Sequence, residues 1–171
     1  MWNITLAALL TIAALGTNGS VATADDDEAS GAAVAKFMPT AKVTLQQGLT
    51  AAESEGKPIS AKYEVDEGHF QLSVYTAREG KFSEVLVDHN TGKVAKTEAI
   101  TEGEDLADAK KQIEACAKSK KSLKSAVDHA EQVSVGYRAV SVTPELRNGH
   151  AVAVVQLLKG SQAKSVSEPL E

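Results

Sequence analysis

Four side chains able to do chemistry stand in a row in Asp88-His89-Asn90-Thr91, between the apolar positions Val87 and Val94. Carboxylate, imidazole, amide and hydroxyl together suggest a metal or phosphate site. Asn-Thr-Gly between hydrophobic runs is equally ordinary turn chemistry, because Asn and Gly tolerate left-handed backbone and an Asp side chain can bond its own backbone a few residues on. The remaining histidines, His69, His129 and His150, have no histidine four residues away and no cysteine at ligand spacing. No metal set or other cofactor is therefore expected, since imidazole ligation needs converging partners. His89 stays the one binding candidate, because its type is not required by a turn.

Nucleophilic and acid–base readings find little support. The chain has no G-x-S-x-G elbow, no H-E-x-x-H and no C-x-x-C, and so lacks the spacings that bring nucleophile, base and orienting group together. The single cysteine, Cys116, lies on the apolar stripe of a helical pattern and reads as a buried, inert thiol. Gly103 sits within the acidic stretch Glu102 to Asp105, whose carboxylates would repel a phosphate. The expectation is a protein without catalysis.

Compartment is better marked. Ile4 to Gly16 forms an apolar block too short for a bilayer span, and Ala22-Thr23-Ala24 precedes Asp25-Asp26-Asp27-Glu28 as an A-x-A cleavage pattern. Residues 1–24 are read as a signal peptide, although Met1-Trp2-Asn3 carries no Lys or Arg, and the protein is expected to be exported to a periplasm or the cell exterior with no membrane span after cleavage. A lone cysteine means that packing, not disulfides, must hold the exported chain together. The formal charge of −5 argues against nucleic acid as a partner.

The elements that would position these residues follow from periodicity. Residues 25–39 are acidic and then rich in Ala, Gly and Ser, and read as a flexible leader. Thr44-Leu45-Gln46-Gln47 has capping-box spacing, and Leu45, Leu49 and Ala52 share a helical face, which predicts a helix over about 44–54 weakened by Gly48. Gly56, suited to a left-handed cap, and Pro58 end it. Ile59, Ala61, Tyr63 and Val65 alternate with polar residues, as do Phe70, Leu72 and Val74, and Phe82 to Asp88 makes a third strand after Glu79-Gly80. Lys93 to Ile100 has room for a short extended segment beyond it.

A second copy of the pattern appears downstream. Leu123, Val127 and Ala130 repeat Leu45, Leu49 and Ala52 at a displacement of 78, Tyr137 and Ala139 take the places of Ile59 and Ala61, and Gly149-His150 mirrors Gly68-His69. Between the copies Leu106, Ala109, Ile113 and Cys116 step at helical spacing. Absence of Gly or Pro favours one continuous helix over about 104–132, against a break near 118–121 where Ser119 and Ser122 offer caps. The expected fold is α+β: two tandem units of one helix and a three-stranded antiparallel meander, residues 40–101 and 122–171, joined by a linker helix over 102–121.

With that order in place, the first unit resembles a PepSY domain over about 43–95. Thr44-Leu45, Ala52, Gly56, Ile59 to Val65, Gly80-Lys81, Val87-Asp88 and the signature turn residues Asp88, Thr91, Gly92 and Val94 carry the likeness. The second unit is a degenerate match, with Glu168 near the place of Asp88 and no Thr-Gly after it. The resemblance implies a small exported binding or regulatory module whose partner is an envelope protein or peptidase, with protease inhibition as the family's suggested activity. The alternative is an exported small-ligand or cation-binding protein using Asp25 to Glu28, Glu102 to Asp105 and the Asp88-His89 turn.

Overall fold

The computed structural model describes residues 24–171. Apart from Ala24, the expected signal peptide lies outside the described residues. Four strands make the first antiparallel run: β1 (Lys57–Asp66), β2 (His69–Arg78), β3 (Lys81–Val87) and β4 (Val94–Ile100). A second run comprises β5 (Arg138–Arg147), β6 (His150–Lys159) and β7 (Gln162–Pro169). The two-residue turns Glu67-Gly68 and Glu79-Gly80 take positive φ at both positions, the geometry that matches strand twist in tight hairpins.

The two runs are not separate meander units. β1 and β5 pair antiparallel through Ala61 with Val142 and Lys62 with Ser141, giving one seven-stranded sheet in the order β4-β3-β2-β1-β5-β6-β7. This corrects the expected arrangement of tandem helix-plus-three-strand units. The physical reason is that β1 and β5 would each leave an unpaired main-chain edge, and each satisfies the other. Ala61 and Val142 lie 81 positions apart and face each other, so the halves meet about an approximate two-fold axis at this pair. A bulge at Ile59 has its counterpart at Val140. Val140 and Val142, rather than Tyr137 and Ala139, thus occupy the places of Ile59 and Ala61.

Helices cover both faces. On one face α2 (Leu45–Ala52) and α4 (Leu123–Gln132) bury Leu45, Leu49, Ala52, Leu123, Val127 and Ala130 against Leu72, Val74, Val85, Val142, Ala153 and Val155. Each large aliphatic side chain so buried contributes roughly 2 kcal/mol. The capping box of α2 forms, with Gln47 N donating to Thr44 Oγ1 at 3.2 Å and Thr44 N to Gln47 Oε1 at 2.8 Å. Gly48 lets the helix sit close, since a Cβ there would lie 2.4 Å from Leu72 Cδ2. Gly56 is not left-handed; it is needed because a Cβ would press on Ala77 O at 3.0 Å.

The stretch read as a flexible leader forms α1 (Ala24–Phe37), followed by a 3-10 turn over Met38–Thr40. Val34 and Met38 enter the main core, and the Phe37 ring stacks on Phe70 at 5.8 Å. Tertiary burial supplies what the local composition lacks. On the opposite face α3 (Gly103–Lys118) packs Leu106, Ala109, Ile113 and Cys116 against Ile59, Tyr75 and Phe82. The helix over 104–132 is not continuous. It breaks between Lys118 and Leu123, where Lys120 N and Lys121 N both donate to Leu170 O (2.6 and 2.9 Å) and Ser122 Oγ caps α4 through Ser125 N at 3.1 Å. Among the described residues, no helix is long and apolar enough to cross a membrane.

Candidate functional site

The signature turn is built from its own side chains. Asp88 Oδ1 accepts from Asn90 N at 3.0 Å, Thr91 N at 2.7 Å and Thr91 Oγ1 at 3.0 Å. These bonds hold the Asp88 carboxyl below its usual range, with the Thr91 amide as the largest cause. Gly92 turns the chain at φ 72°, and its N donates to Asp88 O at 2.8 Å. Val94 begins β4 and is about one-third exposed. The turn also docks another segment, because His89 O accepts from Lys42 N at 2.9 Å and Val43 N at 3.0 Å.

His89 is placed by packing. Its ring meets Phe70 edge-on at 5.0 Å, and Phe70 in turn stacks on Tyr63 at 5.5 Å. His89 caps an aromatic column that pins α1 to the sheet. Arg138 completes this corner, donating through Nη1 to Ala41 O at 2.8 Å and Met38 O at 3.3 Å, and through Nη2 to Val43 O at 2.6 Å. The Tyr63 hydroxyl also donates to Val43 O. The other histidines lie apart: His69 is exposed at the start of β2, His129 pairs with Glu168 at 2.7 Å, and His150 pairs with Glu171 at 2.9 Å. Among the described residues, no group of three or more His, Cys, Asp or Glu is arranged to hold a metal.

A polar cluster that the sequence reading passed over lies beneath α3. Strand register places Lys62 beside Ser73, Glu64 beside Gln71, and Tyr75 beside Glu84 on this face. Lys62 Nζ pairs with Glu64 Oε2 at 2.6 Å, while Ser73 Oγ donates to Glu64 Oε1 at 2.6 Å and Ser60 Oγ to Gln112 Oε1 on α3 at 2.7 Å. Burial pushes the Glu84 carboxyl up, reinforced by Glu64 and Asp105 and opposed by Ser73 and Lys62. Burial likewise raises Asp105, in the first turn of α3, and raises Tyr75 well above the phenol range. The signal for this cluster was the apolar stripe of α3, which requires part of the polar strand face to be covered. Lys62, Glu64, Ser73, Ser60 and Gln112 are engaged with one another, whereas Asp105 Oδ1 is buried without a hydrogen-bond partner among the described residues.

Open surface lies at the sheet edges. β7 is pinned: Glu168 to His129, Ser167 to Arg147, Lys164 to Ser134 and Pro169 O to Lys121. β4 is the freer edge, with Ala95, Lys96, Thr97 and Ala99 exposed, and with Lys96 and Glu98 paired within the strand at 2.8 Å. A broad depression of about 380 Å³ at the end of α2, lined by Glu53, Gly56, Lys57, Pro58, Ala77 and Arg78, opens widely to solvent. No protein family, curated protein or solved structure matches the chain.

Proposed function

We propose that the protein is an exported, non-catalytic binding module that takes an extended segment of a partner polypeptide onto the open edge of its sheet. The observation that carries this reading is β4, a seven-residue outer strand paired on one side with β3 and, among the described residues, with no strand on its other side. An outer strand presents a row of N–H and C=O groups, and an added strand satisfies them by main-chain pairing while alternate side chains select the sequence. Regulation or inhibition of an envelope peptidase is the form of this function that the PepSY resemblance implies.

Two measurements test the reading on the full chain. Residues 94–100 should gain amide-exchange protection when a thermolysin-like metallopeptidase or its propeptide segment is added, and peptidase activity should fall at micromolar protein. Unchanged exchange in β4, together with undiminished peptidase activity and no peptidase co-purifying from the native envelope, would sink the proposal.

A further inference from the structure

We infer that β4 is self-complementary and that two copies of the chain pair edge to edge, antiparallel about Thr97, closing the open edge of each in a resting dimer. This rests on the reading of β4 as the open edge and concerns how that edge is regulated. Read backwards, Val94-Ala95-Lys96-Thr97-Glu98-Ala99-Ile100 keeps its apolar and Thr positions and exchanges Lys96 with Glu98, so the strand is charge-complementary to its own reverse. With Thr97 opposite Thr97 of the second copy, Lys96 faces Glu98 on either side of that pair, all within the regular stretch beyond the bulge at Ala95. Opposite charges and β-branched pairs placed directly across a ladder are the favourable cross-strand combinations.

Register within the chain adds a second reason. Glu98 lies directly beside the buried Glu84, which itself neighbours Tyr75 in the row that runs across the sheet. Glu64 and Asp105 also act on Glu84, and Lys62 is the cation that offsets them. At the edge itself the cation beside Glu98 is Lys96 of the same strand. In the antiparallel dimer the second copy's Lys96 arrives beside Glu98, so each lysine sits between two carboxylates, its own at 2.8 Å and the one opposite. An isologous contact of this kind closes on itself and stops at two copies.

Edge lysines and bulges commonly deter such pairing, and β4 has both, with Ala95 the extra residue between the pairs Leu86–Lys96 and Val87–Val94. Here the lysine is matched by a glutamate two residues on, and the regular stretch Lys96–Ile100 contains the central pairs. The bulge confines good pairing to a short length. The interface is consequently small, in the class below about 1,200 Å² that gives weak and reversible complexes. A weak dimer leaves β4 available to a partner that pairs more extensively.

Charge reversal tests the register. Sedimentation of the full mature chain at about 100 µM should show dimer, and Lys96→Glu or Glu98→Lys alone should shift it to monomer by at least tenfold in dissociation constant. Mixing the two single variants should restore a heterodimer, and the double variant Lys96→Glu/Glu98→Lys should dimerise with itself again. A monomeric wild type, or a dimer indifferent to both reversals, overturns the inference. The peptide-binding reading is judged separately, by amide exchange of β4 in the Lys96→Glu variant with added peptidase.

Discussion

Removing Arg138 probes how α1 and the following turn are held to the sheet. Its guanidinium makes two short bonds, 2.8 Å to Ala41 O and 2.6 Å to Val43 O, and a longer one of 3.3 Å to Met38 O. Hydrogen bonds to a charged group contribute roughly 1.5–3 kcal/mol each. The bond to Val43 O is partly redundant, because the Tyr63 hydroxyl also donates there. Ala41 is buried, so its carbonyl loses its charged donor in a place with little water. Arg138→Ala should therefore destabilise by about 3 kcal/mol, or about 10 °C in Tm for a domain of this size. Arg138→Lys should recover less than half, since an ammonium lacks the planar fork that reaches several carbonyls. Tyr63→Phe alone should be mild, but combined with Arg138→Ala it should cost more than the sum, because Val43 O then has neither donor. Urea melts give the energies, and amide exchange over 34–43 locates them. A loss within about 0.5 kcal/mol of zero for Arg138→Ala, the range of a neutral surface change, would refute this account of the corner.

Glu84 yields a pH prediction. Its carboxyl is raised in the folded state, chiefly by burial, so stability is fully present below the ordinary carboxylate pKa and is lost as pH rises through the folded value. Glu84→Gln should raise the Tm at neutral pH and flatten that decline, which melts from pH 4 to 8 would record. Gly48→Ala, although favoured by helix propensity, should destabilise by about 1–2 kcal/mol because the new methyl displaces the fully buried Leu72. Cys116 is buried and its thiol is pushed up by that burial. It should resist a thiol reagent in the native protein and react fully in urea; fast native labelling would place α3 off the sheet.

The legible parts of the fold were those written in local pattern. Strict alternation from Ile59 to Asp66 marks β1, and Thr44 with Gln47 marks the start of α2, because each signal is complete within a few residues. Pairing of β1 with β5 is carried by main-chain groups 81 positions apart, which leave no side-chain code. The break between α3 and α4 depends on Leu170 O, a partner far along the chain, so a stretch without Gly or Pro looked continuous. α1 depends on Phe70 and the core for its place. At the site, Lys62 and Glu64 looked like a solvated strand face until α3 covered them, and His89 found its reason in Phe70, which lies nearby only in three dimensions.

The seam between β1 and β5 also bears on how the chain reaches this state. β1 sits near the middle of the finished sheet, yet it is an edge strand until β5 arrives, and closing so long a loop carries an entropic cost that local hairpins avoid. During synthesis the first four strands can form while Ala61 and Tyr63 lie along an unpaired margin. That intermediate has two sticky edges where the finished sheet has β4 and β7, which makes the interval before β5 emerges the period of greatest exposure to misassociation.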